Sequence, residues 1–219
     1  MEARMEEAFW QARWSEGRIG FHQRAVNPHL QWYFEQFLPG DTARGGHVFV
    51  PLCGKSLDLD WLLAQGMQVT GIEFHEAAVA EVFARLERTP EITDLGGLKR
   101  YRAGKLTLYV GDFYALAAAE LGRVDLVYDR AAMVAVDPKT RQAYGNQIAA
   151  LAAGAQQLII SYDYDQAQKD GPPFSLPEGA IRTVYDGRYL VELLVEGAAG
   201  GSLGQQVAAK EQVWLLQPK

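Results

Sequence analysis

Short apolar runs alternate with stretches of helical spacing through the middle of this chain. The predicted strands are 47–50, 68–73, 124–128 and 156–161, and the predicted helices are 56–65, 76–87 and 137–152. Residues 89–97 are rich in turn formers, and the runs 98–102 and 105–110 flank Ala103-Gly104 as a hairpin or a bent edge strand. Strands that alternate with helices predict a mostly parallel sheet with both faces covered.

Two helices are predicted ahead of this alternation. Residues 2–16 place Phe9, Trp10, Arg13 and Trp14 on one helix face. Asn27-Pro28 is a favourable N-cap and first-turn pair, so a second helix is expected over about 28–37.

The last part of the chain has a different pattern. A loop is expected over 162–177 and a short helix around 177–186. The strand-like runs 189–195 and 206–216 are joined by a short, glycine-rich connection, which predicts an antiparallel pair. We therefore expect one α/β domain over 1–219, with a helical cap over 1–40 and a doubly wound, Rossmann-like core over 41–219.

Composition excludes several classes of function. Apolar residues make up 48% of the 219 residues, enough for a sizeable core. The net charge of −6 argues against broad binding to nucleic acid or to anionic membranes. No apolar run reaches membrane-spanning length, and a single cysteine, Cys53, fits a reducing compartment. The expectation is a cytoplasmic monomer that acts on a small molecule.

The segment 50–59 (Val-Pro-Leu-Cys-Gly-Lys-Ser-Leu-Asp-Leu) is the most informative stretch. A strand there enters a turn at Pro51 and Gly54, and a helix follows, so backbone N–H groups face a ligand at the helix start. Glu73 ends the next predicted strand 19 residues after Gly54, where a carboxylate can accept from both hydroxyls of a ribose. The spacing predicts a nucleoside-containing ligand, although an ordinary turn and a capping acid are the alternative.

Two other nucleotide sites are disfavoured by the same segment. Gly54-Lys55-Ser56 suggests a phosphate-binding loop, but such a loop needs glycine where Phe49 stands. The run 126–129, which ends in Asp129, keeps a nucleotide-binding or nucleotide-hydrolysing module open as an alternative. The dinucleotide fingerprint G-x-G-x-x-G is absent.

Polar residues also mark the ends of two further predicted strands. Asp112 can accept from an adenine amino group and Phe113 can pack on the ring, or the two can be a helix cap and a core residue. Arg130 at a strand end either holds an anionic substrate or pairs with its neighbour Asp129.

The N-terminal extension supplies aromatic residues that are either core or a cover over the crevice. Trp10, Trp14 and Phe21-His22 could enclose an apolar or cationic ligand by packing and cation–π contact. The four histidines and one cysteine show no spacing typical of metal ligands, so no metal is expected.

Taken together, these residues resemble the bacterial thiopurine S-methyltransferases, a family of class I methyltransferases that use S-adenosylmethionine. The resemblance runs nearly end to end. Its motifs are Phe9-Trp10-x-x-x-Trp14, Gly20-Phe21-His22, the segment 50–56, Glu73, Gly111-Asp112-Phe113, 128–132, 162–164 and 171–174.

The resemblance implies a seven-stranded sheet and methyl transfer from S-adenosylmethionine to the sulfur of an aromatic or heterocyclic thiol. It also implies that six residues contact or border S-adenosylmethionine. These are Trp10, Trp14, Leu52, Glu73, Asp112 and Arg130. It places Phe21 against the substrate and Arg130, the catalytic candidate, close to it. His22 is a further candidate for substrate binding, since a lone histidine is more often a hydrogen-bonding helper than a catalyst. A same-fold methyltransferase acting on selenium or tellurium species is the other alternative.

Overall fold

The computed structural model describes residues 2–17, 19–20, 22–37 and 45–219. Its helices are α1 (Glu2–Ser15), α2 (Pro28–Phe37), α3 (Asp58–Ala64), α4 (Glu76–Arg85), α5 (Ala118–Leu121), α6 (Arg141–Leu151), α7 (Glu178–Tyr185) and α8 (Gly201–Gln206). Its strands are β1 (His47–Val50), β2 (Gln68–Glu73), β3 (Glu91–Asp94), β4 (Leu98–Ala103), β5 (Leu106–Gly111), β6 (Leu126–Arg130), β7 (Gln156–Asp163), β8 (Tyr189–Ala198) and β9 (Lys210–Pro218).

The strands form one sheet in the order β3-β4-β5-β2-β1-β6-β7-β9-β8. The five central strands, β5 to β7 in that order, are parallel to one another. Antiparallel strands extend the sheet at both edges. The predicted α/β class, the parallel centre and the antiparallel C-terminal pair are confirmed.

The strand number implied by the resemblance is corrected by the described residues, where the sheet has nine strands rather than seven. β3 lies inside the segment that was expected to be turns, and it pairs antiparallel with β4, which adds two strands at that edge. Its sequence, Glu-Ile-Thr-Asp, has one apolar side chain, and Ile92 is 56% exposed. Such a strand buries no face, so periodicity could not reveal it.

Helix α8 was also missing from the sequence prediction, which treated its residues as a glycine-rich connection. Leu203 buries its side chain in a small cluster with Tyr164, Ala199 and Val207. A Cβ at Gly204 would stand 1.9 Å from the Ala199 carbonyl oxygen, so this turn needs glycine. Tertiary packing overrides the low helix propensity of glycine here.

Both faces of the parallel strands are buried, which explains their continuous apolar runs. On β1, Phe49 belongs to one core cluster while Val48 and Val50 belong to the other. On β6, Val127 and Tyr128 divide in the same way. This alternation decides which face of the sheet the side chain of each strand-end residue points to. Within the described ranges, no helix is long and apolar enough to cross a membrane.

Candidate functional site

The carboxyl ends of β1, β2, β5 and β6 meet at one edge of the sheet. β1 pairs in parallel with β2 on one side and with β6 on the other. The strand order therefore switches from one side of β1 to the other at this point. In open α/β sheets, ligands bind in the crevice at such a switch point. The sequence-predicted residues Leu52, Glu73, Asp112 and Arg130 all follow or end these strands.

The loop after β1 is fastened tightly to β2. The Cys53 N–H donates to the Ile72 carbonyl at 3.0 Å, and Leu52 and Gly54 adopt positive φ values of 44° and 52°. Gly71 makes the close approach possible, because a Cβ there would lie 2.7 Å from Cys53 Sγ. The loop therefore presents its backbone in a fixed, strained form at the crevice.

Glu73 holds this loop from the end of β2. Its side chain is buried, Oε2 accepts from the Gly54 N–H at 3.0 Å, and Oε1 accepts from the His75 N–H at 2.9 Å. Burial raises the pKa of Glu73 to about 7, against the opposing effect of the backbone N–H donors of His75, Gly54 and Phe74. A carboxylate has about four lone-pair sites, so these backbone bonds leave capacity for a ribose hydroxyl.

The same contacts disfavour a phosphate-binding loop. The Gly54 N–H points at a carboxylate, and Lys55 forms an ion pair with Glu81. The following helix begins at Asp58 rather than near Ser56 as predicted, and it brings Asp58 and Asp60 into its first turn. Carboxylates in these positions repel a triphosphate.

Asp112 and Phe113 follow β5 and differ in their surroundings. Asp112 is exposed, and its Oδ1 accepts from the Tyr114 N–H at 2.9 Å, capping a 3-10 turn over 113–115. Phe113 is 6% exposed and stacks on Tyr144 with ring centroids 5.1 Å apart. This placement makes Phe113 part of the core, one of the two interpretations of the sequence, and its packing on a ligand ring stays a prediction.

Arg130 does not pair with its neighbour in sequence. Asp129 faces the opposite side of β6, where it accepts from the Met133 N–H at 2.9 Å and the Tyr144 hydroxyl at 2.7 Å. The alternative that Asp129 pairs with Arg130 is therefore wrong, because consecutive strand residues point to opposite faces. The Arg130 side chain is 9% exposed, and its Nε lies 3.9 Å from Asp58 Oδ2.

The N-terminal segment supplies Trp14 and His22 to this edge. Trp14 stacks on His75 with centroids 4.9 Å apart, and the Lys55 ammonium lies 5.9 Å from its ring. Burial lowers the pKa of His22, and the charges of Lys55, Arg85 and Arg130 lower it further.

Trp10 lies about one turn before Trp14 on α1. It packs edge-on against Phe9 at 5.4 Å, with the Arg13 guanidinium 5.8 Å from its ring. Phe21, the predicted substrate contact, lies outside the described residues. Among the residues that the structure describes, no three His, Cys, Asp or Glu side chains form a group that could hold a metal ion.

Asp58 is the member of the site that sequence reasoning missed. An acid in the first turn of a helix is ordinary, and nothing in its spacing marks it as buried. The structure shows it 1% exposed beneath Arg130.

A solved Burkholderia thailandensis 1,6-didemethyltoxoflavin-N1-methyltransferase with bound S-adenosylhomocysteine shares this fold, with a TM-score of 0.66 at 15% identity over 100% of this chain and 88% of that chain. The fold is thus that of the S-adenosylmethionine-dependent methyltransferases, as the switch-point crevice indicates.

The chain belongs to the thiopurine S-methyltransferase family, whose profile matches residues 5–217. The thiopurine S-methyltransferase of Teredinibacter turnerae is 42% identical over 212 residues, which are 97% of each chain. That of Xanthobacter autotrophicus is 43% identical over 214 residues, covering 97% of this chain and 99% of the relative.

Proposed function

We propose that this protein transfers a methyl group from S-adenosylmethionine to the sulfur of aromatic or heterocyclic thiols such as thiopurines. The observation that carries the proposal is a buried carboxylate, Glu73, and a mostly buried guanidinium, Arg130, at the ends of strands on either side of β1. Family membership supports the same chemistry. When bound, S-adenosylmethionine would supply a methyl group on a sulfonium, open to in-line attack by a substrate thiolate with S-adenosylhomocysteine as the leaving group.

Glu73 is proposed to hold the ribose of the cofactor. Its oxygens already orient the Gly54 and His75 backbones, so the ribose would complete a preorganised set of contacts. Asp112 is proposed to accept from the adenine amino group at the neighbouring strand end. Leu52, at positive φ in the loop after β1, would border the cofactor, and Trp10 and Trp14 would cover it.

Arg130 is proposed to stabilise the anionic form of the substrate sulfur. Burial lowers the pKa of His22, and the positive charges of Lys55, Arg85 and Arg130 lower it further, which supports a role for Arg130 in holding an anion. A thiolate needs no strong general base, so alignment and exclusion of water would supply most of the catalysis. Good alignment lowers a barrier by roughly 7–11 kcal/mol in model reactions. Phe21 and His22 are proposed to contact the thiol from the cap.

We extend the proposal to the whole chain. One domain with a helical cap over 1–40 and a core over 41–219 accounts for the site, since the cap supplies Trp14 and His22 to the crevice. The unpaired, buried Cys53 favours a cytoplasmic location. A monomer with a small-molecule thiol as its partner, and neither nucleic acid nor membrane, completes the proposal.

Calorimetric titration with S-adenosylmethionine, S-adenosylhomocysteine and magnesium-ATP tests the cofactor directly. We expect saturable binding of both S-adenosyl compounds and none of ATP, since the Gly54 N–H already faces Glu73. Binding of magnesium-ATP without binding of S-adenosylhomocysteine would contradict the proposal and favour a nucleotide-hydrolysing module.

A further inference from the structure

A buried carboxylate, Asp58, joins the cap to the strand that carries Arg130. Its Oδ1 accepts from the Asn27 N–H at 2.8 Å, and its Oδ2 accepts from the Tyr128 hydroxyl at 3.0 Å. The same Oδ2 lies 3.9 Å from Arg130 Nε. Asp58 therefore joins two separate parts of the chain, the cap through Asn27 and β6 through Tyr128 and Arg130.

Two of those donors stand on one face of β6. Tyr128 and Arg130 are two residues apart, so their side chains leave the strand on the same side, and Tyr128 is 1% exposed. The hydrogen bond from the Tyr128 hydroxyl fixes the position of the Asp58 carboxylate relative to β6. Arg130 meets that carboxylate through Nε, at the base of its guanidinium.

The third donor comes from the cap. Asn27 is 2% exposed, and its side-chain Oδ1 accepts from the His29 N–H at 2.9 Å, as expected of the N-cap of α2. His22, whose pKa the charge of Arg130 lowers, precedes Asn27 by five residues. Asp58 thus anchors the cap at Asn27, at the start of α2.

Asp58 places a negative charge beside a mostly buried guanidinium. A guanidinium 9% exposed is costly without a counter-charge, and removing one partner of such a pair leaves the other charge buried. An Arg side chain also has many rotamers, and a fixed anion at Nε restricts them.

Resting on the proposed function, we propose that Asp58 is a positioning residue for methyl transfer. It orients Arg130 toward the substrate sulfur and makes that orientation depend on docking of the cap through Asn27. Asp58 acts through Arg130, so it should affect turnover and leave binding of S-adenosylhomocysteine nearly unchanged.

The test is a double-mutant cycle between Asp58→Asn and Arg130→Ala, measured as kcat and KM for a thiopurine. Asparagine keeps the volume and the acceptor for Asn27, and it removes the charge beside Arg130. Asp125→Asn is the matched control, because Asp125 also accepts a hydrogen bond from a backbone N–H, that of His47 at 2.9 Å. Asp125 lies at the amino ends of β1 and β6, away from the site. Calorimetry with S-adenosylhomocysteine, and then with the thiopurine added to that complex, gives readouts that need no turnover.

We expect Asp58→Asn to lower kcat by about tenfold or more, the scale of a misplaced charged contact, and to weaken binding of the thiopurine. The affinity for S-adenosylhomocysteine should stay within about twofold of wild type. In the Arg130→Ala background, Asp58→Asn should have no further effect on kcat, because residues that act as a unit are not additive. Asp125→Asn should leave kcat unchanged.

Equal, multiplicative losses in both backgrounds would show a merely structural role and overturn the proposal. Should Asp58→Asn fail to fold, Tyr128→Phe replaces it; a loss of kcat that disappears in Arg130→Ala supports the proposal, and an unchanged kcat overturns it. Absence of transfer by the wild type would refute the proposed function and this inference together. Transfer by the wild type with Asp58→Asn unaffected would refute this inference alone.

Discussion

Glu73 connects the backbone of the loop to the ribose that we propose it binds. Replacing it with glutamine keeps the shape but removes the charge, so a hydroxyl donor loses a charge-assisted acceptor worth about 1.5–3 kcal/mol. We expect Glu73→Gln to weaken S-adenosylhomocysteine by about 10- to 150-fold by calorimetry. Glu76→Gln, an exposed carboxylate paired with Lys99, is the control. Equal affinities for wild type and Glu73→Gln would remove Glu73 from the ribose site.

The raised pKa of Glu73 makes ligand affinity and stability respond to pH in opposite directions. The ionised carboxylate accepts the hydroxyls, so S-adenosylhomocysteine affinity should rise as pH increases through about 7. The folded protein keeps the proton to a higher pH than the unfolded chain, so this group's contribution to stability is full below pH 4.5 and is lost as pH rises through about 7.

Asp129, whose burial raises its pKa to about 6, adds to the same decline in stability. Comparing wild type with Glu73→Gln isolates the part due to Glu73. Thermal midpoints and calorimetric affinities between pH 5 and 8 check both trends. An affinity in wild type that does not change over this range would contradict the assignment.

At the scale of elements, α1 reaches the site through the ring of Trp14. Trp14 stacks on His75 and lies over Lys55, next to the loop that Glu73 holds. Removing such a contact costs about 0.5–2 kcal/mol, so Trp14→Ala should weaken S-adenosylhomocysteine by about two- to thirtyfold. Trp32→Ala is a matched control, because Trp32 is 74% exposed on α2. Identical affinities of the two variants for S-adenosylhomocysteine would show that α1 only packs against the core and does not help to bind the cofactor.

The junction between β2 and the loop after β1 gives an element-scale prediction for stability. A Cβ at Gly71 would meet Cys53 Sγ at 2.7 Å and Leu108 Cδ2 at 2.9 Å. Gly71→Ala should therefore destabilise the fold by about 1–3 kcal/mol, which is a loss of several degrees in the thermal midpoint. Gly179→Ala, in α7 with open space around it, should be neutral or stabilising. If Gly71→Ala melts at the wild-type temperature, the loop is less constrained than its contacts indicate.

The sequence predicted most of the element types because the parallel strands and their helices carry strong periodic patterns. It missed β3, α5 and α8, where packing and edge pairing form structure without a clear periodic signal. At the site, the strand-end positions of Glu73, Asp112 and Arg130 were predictable from order along the chain. The Asp58–Arg130 pair was not, because it depends on which face of β6 each residue occupies and on how α3 meets that strand.

At the scale of the molecule, the parallel centre of the sheet brings the residues that we propose for the methyl donor and for the acceptor to the same carboxyl ends of the strands. The strand order places Glu73 of β2 and Arg130 of β6 on either side of β1, and the cap approaches the same edge with Trp14 and His22. The antiparallel strands at both edges enlarge the sheet without changing this arrangement. The two sets of residues should therefore be separable by mutation, with Glu73 governing the cofactor and Arg130 the acceptor.

Transfer of an isotopically labelled methyl group from S-adenosylmethionine to a thiopurine tests this account most directly. Wild type, Arg130→Lys and Arg130→Ala would be compared by mass spectrometry of the product, with S-adenosylhomocysteine affinity measured in parallel. We expect labelled S-methyl product from the wild type, less from Arg130→Lys, because lysine lacks the planar fork of donors, and least from Arg130→Ala. Cofactor affinity should change much less than turnover. No labelled product from a wild type that binds S-adenosylmethionine, or equal turnover by all three proteins, would contradict the account.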